Sequence, residues 1–408
     1  MSSQVAERPA APVEPGHRGR WELTGKHAGW LGIALGFLAF FVALPPLTIR
    51  SAVPTVVLGV AALIVGIWTI RGGERRVGAF AVVAAVVGLA GGYAATQSGV
   101  SNLERVVVWS ALFAAMLRYA TPLLFAALGG LFSERSGVIN IGLEGMMLMG
   151  AFWGVWGAEV TGSWVIGLLI GMASGVALAL LHALFAITLR ADQIVSGFSM
   201  NFLALGITGF FYVNIYGAQG TPDNIPRAPD LTLPGLKSVP FLGDIFGQMN
   251  VLIWLGLLTV VLTWLVVFRT PAGLRLRSVG ENPLAAETAG LSPVKIRYVA
   301  VAISGALAAI GGAYLSIGFV GSFGENMTAG RGFIALAVLI CGRWIPSGAL
   351  VFALLFGFFS ALAQRLPVFS PSAATLFQAL PYIITLIAVA GVVGRSIPPA
   401  AIGRPLDR

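Results

Sequence analysis

Runs of about twenty apolar residues, the length that spans a bilayer, recur along the chain between short polar segments. Three such runs lie near 29–47, 52–70 and 77–97; Pro45-Pro46 closes the first, and Arg71 to Arg76 separates the second from the third. Further spans are predicted up to residue 133, from 138 to about 159, and over 163–189, 194–216, 249–268, 296–318, 347–365 and 373–394. A run of about a dozen residues between Gly330 and Gly342 ends in Arg343-Trp344-Ile345-Pro346 and reads as a half-length or tilted helix. The pattern predicts an all-α polytopic membrane protein with roughly 10–12 membrane helices, some short or broken.

Two stretches depart from plain runs. In 106–133, Arg118-Tyr119 interrupts the apolar residues and Thr121-Pro122 follows. An interfacial helix over 106–117 leading into a span is the favoured reading, because the alternative, one long helix, brings an arginine into the bilayer, which is costly. The second stretch, Val138 to Met147, carries Gly142 and Gly145 just after Gly137. Asn140 and Glu144, four apart, are expected on one helical face. Glycines that loosen a helix at such a point are a device by which backbone lines a cavity. The next run carries Gly167, Gly171 and Gly175 at spacing four, a packing stripe, and His182, which is expected to be a hydrogen-bonded packing residue.

Composition agrees with a membrane chain: 57% of residues are hydrophobic and only 10% charged, against roughly a quarter charged in soluble domains. The net charge of +9 does not point to nucleic acid. Its positives crowd into short loops: 18 of the 25 Lys and Arg fall on segments read as cytosolic and 7 on the others, which orients the chain with both termini inside. Residues 1–28 read as a disordered cytosolic tail, 29–105 as a unit of three transmembrane helices, and 395–408 as a second cytosolic tail. The proline-rich loop 217–248 is expected outside, and no cleavable secretory signal is evident.

The cytosolic loop 269–297 is a polar island between apolar runs, to which Arg269, Arg275, Arg277, Lys295 and Arg297 give five positive charges. Its centre carries the signals of a short helix. Asn282 caps it, Pro283 takes the first position, Leu284, Ala285, Ala286 and Glu287 continue it, and Gly290 ends it in the left-handed conformation after Ala289. A bare connector needs only a few residues, so a capped helix here reads as a docking part.

Catalytic signatures are missing. No GxxxxGK[ST] occurs, so the chain carries no P-loop for ATP. There is no HExxH, the three histidines are scattered, and the single cysteine, Cys341, excludes a disulfide within the chain. No cofactor or metal is expected. An ion-coupled secondary transporter would need intramembrane charges, of which Glu144 is the strong candidate; a membrane-embedded transferase would need a surface cluster that Glu134 and Asp192 do not make.

Four segments, SERSGVINIGLEGMMLMGAF (133–152), ADQIVSGFSMNFLALG (191–206), LRSVGENPLAAETAGLSPVKIRY (276–298) and AGRGFIALAVLICGRWIP (329–346), resemble the permease subunits of bacterial ABC importers. The resemblance covers 106–394. It is to the superfamily serving branched-chain amino acids, ribose and other simple sugars, and more closely to the nucleoside branch that works with a basic-membrane-protein-type lipoprotein. It implies a type II ABC importer-like permease core in a bacterial plasma membrane. Glu281, Asn282, Pro283, Ala286, Glu287, Ala289 and Gly290 would form the coupling helix on an ABC ATP-binding subunit. The implied partners are that subunit, a second permease and an extracellular substrate-binding lipoprotein, beside membrane lipid. The substrates implied are nucleosides or related simple sugars, with branched-chain amino acids as the alternative.

Polar side chains within a membrane line a route or pair with one another. Asn140, Glu144 and Asn201 are the candidates for a translocation pathway, with Arg331 at its outer mouth. The competing role for Glu144 is a structural hydrogen bond or salt bridge to a neighbouring helix.

Overall fold

The computed structural model describes residues 25–43, 51–97, 108–365, 378–379, 382–383 and 397–404. Most of the span expected at 373–394 and of the tail expected at 1–28 lies outside the described residues, whereas residues 397–404 of the tail expected at 395–408 are described.

The described chain is almost entirely helical. Three helices, α1 (Gly25–Phe41), α2 (Ala52–Arg71) and α3 (Arg75–Gln97), pack on one another at the N-terminus. α1 starts inside the stretch read as a tail. Phe41 stacks on Trp109, ring centroids 5.0 Å apart, where this unit meets the next helix. There follow α4 (Trp109–Arg135), α5 (Leu143–Thr161), α6 (Trp164–Ala183), which runs on into a π-helical turn (Leu184–Thr188), and α7 (Gln193–Tyr216). Seven helices among the described residues are long and apolar enough to cross a membrane, and three shorter apolar ones accompany them.

α4 is one continuous helix, which corrects the expected interfacial helix over 106–117. At about 1.5 Å per residue its 27 residues run roughly 40 Å, beyond a hydrocarbon core of about 30 Å. Arg118 is exposed on the bundle surface, where a long side chain can reach toward the headgroups, so the cost of a buried arginine does not arise. Pro122 is accommodated inside the helix, and the preceding Thr121 hydroxyl donates to Leu117 O at 2.7 Å.

The centre of the bundle is α4 together with α13 (Pro293–Ala313, extended by the π-helical turn Tyr314–Val320). Their most apolar windows are 67% and 78% buried inside the protein, against 28% for those of α2 and α6. α5 and α6 complete the core through the small-residue stripe: Gly167 lies against the Gly154 carbonyl of α5, Gly171 against the Gly150 carbonyl, and Gly175 against the Gly305 carbonyl of α13.

The expected loop 217–248 has structure of its own. Strands β1 (Asp230–Thr232) and β2 (Gln248–Asn250) pair antiparallel, with α8 (Pro234–Lys237) and α9 (Leu242–Phe246) between them. Asn250 ties this hairpin to the bundle: it caps α10 (Val251–Arg269) through Leu252 N and donates to Ala228 O and Gly318 O. After α10 come α11 (Pro271–Glu281) and α12 (Pro283–Thr288), ahead of α13; α14 (Arg331–Cys341) and α15 (Pro346–Arg365) follow it.

Candidate functional site

The loop between α10 and α13 is built from three repeats of one local device, a capping side chain followed by proline. Thr270-Pro271 opens α11, Asn282-Pro283 opens α12 and Ser292-Pro293 opens α13, and each capping oxygen accepts from a backbone N–H two positions beyond its proline. Asn282 Oδ1 takes the Ala285 N–H at 3.0 Å. α12 ends as the residues predict. Gly290 has φ +83°, its N–H donates to Glu287 O at 2.9 Å, and Leu291 N–H donates to Ala286 O at 3.1 Å, the Schellman pattern. Ala286 is buried; Asn282, Leu284, Glu287, Ala289 and Gly290 are exposed. The result is a short, capped helix that presents most of its surface outward. α11 is a full helix where only a loop was expected, and Thr270-Pro271 is the signal that marks it. Arg297, one of the five positive charges counted on this loop, is fully buried.

The second element is the link between α4 and α5. The helix breaks at Ser136-Gly137, where Gly137 has φ +93°, and resumes at Leu143. Asn140 therefore stands in non-helical chain and does not share a helical face with Glu144, which corrects that expectation. Backbone groups freed by the break are taken up by side chains from other helices, as apolar surroundings require. Gln193 Oε1 accepts from Ile139 N at 2.7 Å, and the buried His182 ring bonds Ile139 O and Ser196 Oγ, both at 3.0 Å. Asn201 bridges the break, donating to Ile141 O at 3.0 Å and accepting from Gly145 N at 2.8 Å.

Glu144 sits in the first turn of α5, buried, and reaches across to α14. Its Oε1 accepts from Gly330 N at 2.7 Å and its Oε2 from Gly332 N at 2.5 Å, so one carboxylate caps the start of the half-length helix. This satisfies orphan donors and places negative charge at a helix N-terminus. A side chain at Gly332 would meet the Glu144 backbone. Asn140 donates to Ser304 Oγ at 2.9 Å, while its Oδ1 has no hydrogen-bond partner among the described residues. The fold thus gathers Asn140, Glu144 and Asn201 around one break. Arg331 joins them through its backbone neighbours, and its guanidinium donates to Met327 O and Thr328 O, both at 3.0 Å. It also lines a cavity of about 130 Å³ with Tyr119, Ser360, Gln364, Gln378 and Tyr382 among its walls.

The α4 end of the link is held by a network that sequence reading missed. Glu134 Oε2 accepts from the Trp344 indole at 2.5 Å, and Arg135 donates twice to Trp344 O. Glu134 and Arg135 read as ordinary polar ends of a span, and nothing local marks their partner.

A family model described as branched-chain amino acid transport system / permease component matches residues 112–389. The chain belongs to this permease family. The match begins inside α4, so α1–α3 precede it. The permease is 43% identical over 315 residues to the guanosine ABC transporter permease protein NupQ of Bacillus subtilis (strain 168), covering 74% of this chain and 98% of the relative. It is 39% identical to the nucleoside ABC transporter permease protein NupC of Lactococcus lactis subsp. cremoris, over 72% of this chain and 95% of the relative. A putative glucose ABC transporter permease protein of Haloferax volcanii, TsgC13, is 40% identical over 62% of this chain and 77% of its own length. No solved structure matches. The permease is a multi-pass membrane protein.

Proposed function

We propose that this permease is the membrane subunit of an ATP-driven ABC importer of the plasma membrane that carries nucleosides. Two relatives named for guanosine and nucleoside permeases align with this chain over nearly their whole length, whereas the glucose-named relative aligns over a smaller share of both chains. That difference supports the nucleoside reading.

The observation that carries the mechanism is the exposed, doubly capped α12 between two bundle-anchored helices. A helix fixed at both ends and open to solvent suits docking on a separate ATP-binding subunit. Hydrolysis then belongs to that subunit, and Glu281, Asn282, Pro283, Ala286, Glu287, Ala289 and Gly290 form the coupling helix. ATP-driven motion reaches the membrane as a difference in contact between two states of the assembly. The break around Asn140, with Glu144 and Asn201, supplies a movable joint in the core, and the Arg331 cavity supplies a polar wall for the pathway. A second permease completes the route, and an extracellular binding lipoprotein delivers the nucleoside.

The test is uptake of labelled guanosine by cells that depend on this permease. ATP-dependent uptake, competed by unlabelled nucleosides and not by glucose, supports the reading. Competition by glucose alone overturns the substrate assignment.

A further inference from the structure

Residues 397–404 form a strap across a junction of four parts of the chain. Ala401 N–H donates to Gly280 O at 2.9 Å, and Ala400 N–H to the Glu281 carboxylate at 3.3 Å. Gly403 N–H donates to Gly137 O at 3.1 Å, at the start of the broken link. From α13, the Arg297 Nε donates to Ser136 O and its Nη1 to Arg404 O, each at 3.1 Å. Gly280 itself lies so close to the Arg135 carbonyl that a side chain there would collide with it. The end of α11, one residue before the cap of α12, is thus pinned to the end of α4 and to the link.

Arg297 is the costly member of this junction. It is fully buried, and among the described residues no carboxylate is a hydrogen-bond partner of its guanidinium and its Nη2 has no partner. An apolar residue would fill the space at less desolvation cost. The carbonyl end of α4 compensates part of the charge. What arginine adds is a rigid fork that holds two carbonyls of different segments at a fixed separation.

We propose that Arg297 and the strap 397–404 are a positioning tie that makes the base of α12 and the α4–α5 link move as one body, so that displacement of α12 is delivered to the break in the core. This rests on the reading of α12 as the docking element.

The experiment uses the complete transporter in proteoliposomes, with transport and ATP hydrolysis measured together. Ala401→Pro removes the N–H given to Gly280, and Arg297→Lys keeps the charge but loses the fork. Normal complex assembly and hydrolysis, with substrate carried per ATP reduced about fivefold or more, is the expected result. Unchanged transport per ATP in both variants, at normal abundance, overturns the tie. Should neither variant assemble, the pair Glu281→Cys and Ala400→Cys decides. Oxidation to a disulfide leaves ATP hydrolysis at the reduced rate if the strap and α11 travel together, and arrests it if they must part. Because that arm reads hydrolysis alone, a wild-type complex that carries no nucleoside overturns the substrate reading without touching this one.

Discussion

The Glu134 carboxylate accepts the indole N–H of Trp344 across 210 positions of sequence, at 2.5 Å, in a fully covered site. Trp344 stands at φ +53° beside Arg343 at +58°, backbone that non-glycine residues seldom adopt. Such a conformation persists where its surroundings over-determine it. Here Glu134 holds the side chain and Arg135 holds the carbonyl of the same residue, which fixes the turn between α14 and α15 against the end of α4.

Replacing Glu134 with alanine strands a buried indole N–H, a loss of about 1–3 kcal/mol. We expect a lower melting temperature for the purified permease in detergent. In a double-mutant cycle with Trp344→Phe the two losses should be less than additive, because either change breaks the same bond. Full additivity would show that the pair is not coupled.

For the short helix, Asn282→Ala removes the cap at a cost of about 1 kcal/mol, and Gly290→Val forces a β-branched residue into the left-handed region. Both positions are exposed, so membrane abundance should hold while uptake falls. Equal uptake at equal abundance for both variants would remove α12 from the coupling path.

These signals were legible because they are local. A cap, a proline and a terminating glycine act within a few residues, and Asn282, Pro283 and Gly290 carry them in the sequence itself. The partners of the broken link were not legible in the same way. Ile139 and Ile141 are served by His182, Gln193 and Asn201, and the Glu144 carboxylate by Gly330 and Gly332, 186 and 188 positions away. Sequence spacing put Asn140 and Glu144 on one helical face only on the assumption that the helix was unbroken between them. Arg118 was judged by the cost of a buried charge, and the fold avoids that cost by turning the side chain outward. Arg297 was counted with the charges of the loop, because nothing beside it in sequence marks the carbonyls that enclose it.

The substitution Glu144→Gln separates two roles for that residue. An amide keeps one acceptor oxygen and turns a donor toward one of the two glycine N–H groups, so a cap bond is lost and the charge at the α14 N-terminus with it. We expect reduced abundance in the membrane, measured by quantitative immunoblot. Normal abundance with altered uptake would assign Glu144 to the pathway instead.

Orientation has its own test. A cysteine at the exposed Ser238, between β1 and β2, should react with an impermeant thiol reagent added outside intact cells, and one at the exposed Thr288 of α12 should not. The native Cys341 is buried and should stay silent. The reverse pattern would invert the topology.

The central claim is tested most directly by transport in a defined system. The permease is reconstituted with its ATP-binding subunit, second permease and binding protein in proteoliposomes, with ATP on the side that α12 faces. Labelled guanosine should accumulate on that side only while ATP is hydrolysed. Glucose carried in its place, or guanosine entering at the same rate without ATP, would contradict the account.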